Sequence, residues 1–87
     1  MEKFVLSQDY SFFLVLLRKI RKQSGLTQQQ LAQKLNQSQS FVSKCERGER
    51  RIDIVEMRNF CMAMGVSLRS FIEELELGLA DEGTRDE

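Results

Sequence analysis

Apolar residues recur at helical spacing along almost the whole chain. Phe13, Leu16, Leu17 and Ile20 fall on one stripe at positions i, i+3, i+4 and i+7. This stripe predicts a first helix that starts near Asp9 or Ser11 and runs to Ser24, with the following glycine as its stop. No stretch alternates apolar and polar residues over a useful length, so no strands are expected. The pattern predicts an all-α protein.

Capping residues divide the rest of the chain into four further helices. The predicted N-caps are Thr27, Ser38, Asp53 and Ser67. The first and third of these open capping boxes, because Gln30 and Glu56 stand three residues further on. The third helix is expected over residues 39–47 and the fourth up to Met64, each followed by a glycine. The chain is therefore expected to hold five helices.

Apolar residues of the five predicted helices, together with Leu26, are expected to form one core. Its predicted members are Leu17, Ile20, Leu26, Leu31, Ala32, Leu35, Val42, Cys45, Met57, Phe60 and Phe71. From Gly78 onward the sequence becomes acidic and loses this periodicity, which is typical of a frayed terminus. We therefore expect one domain over residues 1–77 and a disordered acidic tail over residues 78–87.

Composition excludes several classes of protein. The longest apolar run, from Phe12 to Leu17, is far shorter than a membrane span, and polar residues interrupt any signal peptide. The chain has two cysteines and no histidine, too few ligands for an ordinary zinc site and no histidine to act as a general base. We expect that the protein is not an enzyme and that it has no catalytic residue, metal site or cofactor. Cys45 and Cys61 occupy apolar helical positions and are expected to be buried structural thiols.

The net charge of zero hides a strong asymmetry. Residues 11–51 carry nine basic and two acidic groups, whereas residues 52–87 carry three basic and nine acidic groups. Such a distribution predicts a basic face that meets a polyanion. Two ordinary solvated surfaces of opposite sign would produce the same arithmetic.

Residues 27–48 have the spacing of a helix-turn-helix, two short helices joined by a brief turn. Ala32 is small where the helices would cross, and Val42 would fill the space opposite. The outward residues of the second helix of this motif are Gln39, Ser40, Ser43, Lys44 and Arg47, all able to form hydrogen bonds. Glu46, the acid of this helix, should point elsewhere. Because the major groove admits one α-helix, this face could read base edges.

Several motifs together resemble the Cro and phage lambda repressor type of helix-turn-helix domain, the XRE family, over roughly residues 13–75. They are Leu17-x-x-Ile20-Arg21, Gly25-Leu26-Thr27-Gln28, Leu31-Ala32-x-x-Leu35, Ser38-Gln39-Ser40-x-Val42-Ser43-x-x-Glu46-Arg47-Gly48 and Gly65-Val66-Ser67. Asn36 stands where the family often has glycine, and asparagine tolerates the same left-handed backbone. Ile52 stands near a position where the family often has proline. The resemblance implies a five-helix, lambda-repressor-like domain.

The resemblance also implies roles for individual residues. The implied base contacts are Gln39, Ser40, Ser43 and Lys44. The implied contacts to the DNA backbone are Gln28, Arg47, Arg50 and Arg51. Arg21 and Glu46 resemble the family's partly buried ion pair. Each polar residue could instead be merely solvated, and Phe41 could pack on the fourth helix or lie toward a thymine methyl group.

These observations lead us to expect a cytoplasmic transcriptional regulator, such as a repressor, that binds a double-stranded DNA operator as a homodimer. The alternative is a protein-interaction module that has kept the fold, such as an antitoxin that neutralises a protein partner. Two apolar surfaces could join the copies of a dimer. One is on the first helix, at Phe12, Leu14 and Val15, unless the segment Phe4 to Leu6 folds back over it. The other is on the fifth helix, at Ile72, Leu75 and Leu77.

Overall fold

The computed structural model describes residues 6–85, and the side chains of residues 6–81. These residues form five helices and no strand, as predicted. The helices are α1 (Gln8–Gln23), α2 (Gln28–Lys34), α3 (Gln39–Arg47), α4 (Ile54–Met64) and α5 (Leu68–Arg85). Helix α2 packs mainly on α3, while α1 contacts α3 and α5, and α4 contacts α2 and α5.

The helix starts follow the caps in the sequence. Thr27 and Asp53 form complete capping boxes, in which the glutamine or glutamate three residues on also accepts the N–H of the cap. The Ser38 hydroxyl accepts from the N–H of Phe41 and starts α3 at the predicted residue. Helix α1 begins slightly earlier than expected, because the Ser7 hydroxyl accepts from the N–H of Tyr10.

One apolar core lies between the helices. The members that are almost completely inaccessible are Leu17, Leu31, Val42, Cys45, Phe60, Cys61 and Phe71. Leu26 and Leu35 were expected in this core, but both are only half-buried and pack against its edge. Leu26 precedes α2 and Leu35 is its C-cap, so each keeps one side toward solvent. Cys45 and Cys61 are buried free thiols, as predicted.

Two positions in and after the helix-turn-helix require a left-handed backbone. Asn36 adopts φ 59° in the turn between α2 and α3, as expected for a residue that replaces glycine. Gly48 ends α3 at φ 82°, and a Cβ there would lie 2.6 Å from Leu6 and 3.0 Å from Leu14. Glycine is therefore needed at residue 48 both for the backbone and for space. Leu14, one of the residues considered for dimerisation, is buried in this contact.

Helix α5 continues through Gly78 to Arg85. The structure therefore differs from the expected loss of helical structure after Gly78, while the predicted disorder of the tail stays a prediction; residues 86–87 lie outside the described residues. A Cβ at Gly78 would overlap the ring of Phe12, so this glycine allows α1 and α5 to approach each other and does not end the helix. Within residues 6–85, no helix has the length and apolar character to cross a membrane.

Candidate nucleic-acid interface

Helix α3 turns one face to the core and the other to solvent. Val42 and Cys45 are 0% exposed against the core. On the opposite face Gln39, Ser40 and Lys44 are exposed, and Ser43 is half-buried. The structure thus brings the four predicted base contacts together on one side of α3. These side chains supply both donors and acceptors of hydrogen bonds, the chemistry needed at base edges.

The acid of this helix is removed from the outward face by an ion pair. Glu46 is 1% exposed, and Arg21 of α1 is 7% exposed. Arg21 Nε donates to Glu46 Oε2 at 2.6 Å, and Nη2 donates to Oε1 at 3.2 Å. The remaining Arg21 nitrogen donates to the Leu26 carbonyl oxygen at 2.9 Å. The two side chains are therefore in contact, as the resemblance implied, and the pair has the fork geometry that favours arginine with carboxylate.

A glutamine pair links this buried carboxylate to the surface. Gln28 Nε2 donates to Glu46 Oε1 at 2.9 Å, and Gln28 Oε1 accepts from Gln39 Nε2 at 3.5 Å. The side chain of Gln28 is thus bound within the protein at both ends of its amide. Gln39, the first residue of α3, is exposed, and this link connects it to α2.

Arg47 and Arg50 are each held by a nearby acid. Arg47 Nε donates to Glu49 Oε2 at 2.8 Å, and Arg47 also donates to the Ser43 hydroxyl. The hydrogen bond from Arg47 lowers the pKa of Glu49 below its ordinary value and raises that of Arg47. Arg50 Nη1 and Nη2 bind the two oxygens of Glu56 at 3.1 and 2.7 Å. Both arginines remain exposed at the end of α3 and in the loop that follows.

Aromatic rings support the loop between α3 and α4. The guanidinium of Arg51 lies 4.4 Å from the centroid of the Tyr10 ring, and that of Arg50 lies 4.9 Å from the centroid of Phe41. The Tyr10 hydroxyl accepts from the N–H of Ile52 at 3.2 Å and so ties this loop to α1. The four predicted backbone contacts therefore occupy two places. Gln28 lies beside Gln39, and the three arginines lie at the other end of α3.

Phe41 packs toward α4. Its ring is half-buried, and its centroid lies 6.3 Å from that of Phe60. Together with Leu35, Asn59 and Met62, it lines an open groove between α2, α3 and α4. Of the two orientations left open by the sequence, the structure has the one toward α4.

Sequence reasoning missed four residues that shape this surface. Arg18 donates to the carbonyl oxygen of Glu46 at 3.0 Å, Tyr10 holds the loop, and two acids bind arginines. The acids are Glu49 and Glu56. Of these four residues, only Glu56 was recognised in the sequence, as the partner of Asp53 in a capping box and not as a partner of Arg50. The other contacts join residues that are far apart in sequence, or depend on side-chain directions that no periodicity predicts.

Neither cysteine has the environment of a reactive thiol. Burial raises the pKa of Cys61 to about 11, and it also raises the pKa of Cys45. Within the part of the chain that the structure describes, no three histidine, cysteine, aspartate or glutamate residues group into a candidate metal site.

Comparison with known proteins agrees with this geometry. A helix-turn-helix family model matches residues 17–71. A solved XRE-family like protein from Pseudomonas syringae pv. tomato str. DC3000 is 40% identical, with 79% of this chain and 84% of that chain covered and a TM-score of 0.75. The chain belongs to the XRE family of helix-turn-helix proteins.

Several other solved structures similar to this chain are of one controller protein. The restriction-modification controller protein C.Esp1396I is 29% identical, with 87% of this chain and 99% of that chain covered and a TM-score of 0.78. Its tetramer has been solved in complex with its natural 35 base-pair operator; that chain is 31% identical, with coverage of 80% and 92% and a TM-score of 0.73. A comparison with curated protein sequences finds no match.

Proposed function

We propose that this XRE-family protein is a transcriptional regulator that binds operator DNA sequence-specifically, with α3 in the major groove. The observation that carries the proposal is the outward face of α3. It presents Gln39, Ser40, Ser43 and Lys44 without an acid, because Glu46 is buried against Arg21. The operator complex of a controller protein of similar fold supports DNA as the ligand.

The proposed contacts divide into two groups with different chemistry. The four side chains on α3 would meet base edges, which differ between base pairs in the major groove. Arg47, Arg50 and Arg51 would meet phosphates, which carry no sequence information. Gln28 would contribute to the backbone group and would also hold Gln39 in place through the amide contact between them.

The two groups are expected to fail differently when mutated. Gln39→Ala should lose about 1–3 kcal/mol on the preferred sequence and relax the choice at one base position. Arg51→Ala should weaken all duplexes alike and lower the salt slope of binding by about one unit, with the preferred sequence unchanged. Selection of bound sequences from a random DNA pool, followed by salt titrations, measures both effects.

Gln23→Ala is a suitable control, because Gln23 is also an exposed glutamine but lies at the end of α1. It should leave affinity and motif at wild-type values. If Gln39→Ala and Lys44→Ala both left affinity and motif untouched, α3 would not be the reader. A protein-interaction module, such as an antitoxin, would then explain the fold better.

We also propose that the protein binds DNA as a homodimer, because one helix-turn-helix contacts few bases and two copies can read half-sites about 34 Å apart. Of the surface on α1, Leu14 is buried and Phe12 lies against Gly78, whereas Val15 is exposed. Phe4 and Val5 of the segment expected to fold back over it lie outside the described residues. An apolar groove remains between the start of α1, the start of α4 and α5. Its apolar lining residues are Tyr10, Phe13, Ile52, Ile54, Met57, Phe71, Ile72, Leu75 and Leu79, and its polar lining residues are Ser7, Asp9, Arg51 and Asp53. Contact through this groove is the arrangement that we favour.

Ile54→Gln should therefore weaken self-association by about tenfold or more, because a large apolar side chain would no longer be buried between copies. Met62→Gln is a matched control, since Met62 is 60% exposed and Ile54 is 61% exposed, but only Ile54 lines the groove. Sedimentation at a series of concentrations measures the change. A monomeric wild type at high micromolar concentration that also fails to pair on DNA would refute the dimer; equal effects of the two variants would refute the groove.

A further inference from the structure

Arg50 is bound from three sides in the free protein. Its two terminal nitrogens lie 3.1 and 2.7 Å from the two oxygens of Glu56. Nη1 also donates to the carbonyl oxygen of Arg51 at 3.1 Å, and the guanidinium lies over the ring of Phe41. Under the proposed function the Arg50 guanidinium binds a phosphate. In the protein itself it already binds an anion, the Glu56 carboxylate.

The geometry of this partner is the geometry that a phosphate would use. Arginine binds carboxylates and phosphates alike through two parallel N–H···O bonds, so the two anions compete for the same edge of the guanidinium. The hydrogen bond from Arg50 lowers the pKa of Glu56 below its ordinary value, and so does the N–H of Asp53. The carboxyl group is consequently charged at neutral pH.

We propose that Glu56 competes with the DNA backbone for Arg50, and thereby weakens the binding of every duplex without changing which sequence is preferred. This inference rests on the proposed function, because it needs Arg50 to face a phosphate.

The other two arginines of the interface differ from Arg50. Arg47 meets Glu49 through one nitrogen of its guanidinium, and its side chain is 54% exposed, so water screens this pair more strongly. Arg51 forms no salt bridge with any residue that the structure describes, and lies on the neutral ring of Tyr10. Arg50 is thus the arginine of this set whose charge is most completely neutralised by the protein itself.

Glu56→Gln tests the inference with little risk to the fold. Glutamine also completes a capping box, so the Asp53 N–H would keep its acceptor at the start of α4. On a random-sequence duplex the variant should bind about fivefold to tenfold more tightly near 0.1 M salt, and the slope of log affinity against log salt should steepen by about 0.9. The motif selected from a random pool should be the wild-type motif.

Two further variants separate this effect from simpler ones. Glu73→Gln removes the same charge from an exposed residue of α5 that forms no salt bridge within the described residues, and should give a smaller gain. In an Arg50→Gln background, Glu56→Gln should lose most of its effect, because no guanidinium remains to be released. This comparison distinguishes competition for Arg50 from a general change in charge.

The outcomes divide clearly between the two proposals. Unchanged or weaker binding by Glu56→Gln would overturn the competition. Weaker binding would indicate that the carboxylate only positions Arg50 for DNA. A gain of equal size in Glu73→Gln, or one that persists without Arg50, would also overturn it. If the wild-type protein shows no salt-dependent binding to any duplex, the proposed function itself fails, and this result needs no variant to be seen.

Discussion

Glu46→Gln is expected to destabilise the protein by about 3–5 kcal/mol, because it leaves the Arg21 guanidinium buried without its counter-charge. The side chains are only 9% and 1% exposed, so water cannot replace the lost partner. The loss is a large part of the total stability of so small a domain, which is about 5–15 kcal/mol. Urea unfolding of the variant and the wild type measures it.

A double-mutant cycle isolates the pair. Arg21→Met and Glu46→Gln together should cost less than the sum of the single losses, with a coupling of about 0.5–3 kcal/mol. The pair Arg47 and Glu49 is a matched control, since its side chains are 54% and 38% exposed and its coupling should be much smaller. Strictly additive losses for Arg21 and Glu46 would show that the contact contributes nothing to stability.

The pair also has a consequence for DNA binding under the proposed function. Gln28 donates to Glu46 and accepts from Gln39, so the first residue of the recognition helix is connected to the ion pair. The carboxylate oxygens of Glu46 on α3 thus accept hydrogen bonds from both α1 and α2. Substitutions that break the Arg21–Glu46 ion pair should therefore weaken DNA binding by α3 as well as lower the stability of the fold.

Leu31→Ala should cost about 2–5 kcal/mol, because the side chain is 0% exposed at the centre of the core and its removal leaves a cavity. Leu35→Ala should cost less. Helical periodicity predicted that both leucines belong to the core of the domain. Leu35, however, is half-buried and borders the open groove beside Phe41. Solvent already reaches part of that side chain, so less apolar contact is lost. Thermal or urea unfolding of the two variants ranks them.

Met62→Ala is the control for these losses, since its side chain is 60% exposed and its truncation should change stability by no more than about 0.5 kcal/mol. A wild-type unfolding curve from Leu31→Ala would contradict the core described above. A larger loss from Leu35→Ala than from Leu31→Ala would contradict the ranking.

The sequence alone determined the features that depend on near neighbours along the chain. Thr27 and Asp53 could be recognised as caps because the partner of each stands three residues away. The left-handed backbone at Asn36 was implied by the family resemblance, because asparagine tolerates the conformation of the glycine that often stands there. The outward face of α3 followed from helical periodicity. These local rules were sufficient to predict five helices and the surface that carries the candidate base contacts.

Only the tertiary structure decided the contacts between residues that are distant in sequence. The sequence from Gly78 onward predicted a frayed tail and gave no sign that the absence of a side chain at Gly78 leaves space for the Phe12 ring between α1 and α5. The partners of Arg50 and Arg51 depend on where α4 and α1 place Glu56 and Tyr10. Helical periodicity gives the face on which a residue lies but not the element packed against it. For this reason the sequence could predict which arginines lie near α3, but not which of them already form an ion pair within the fold.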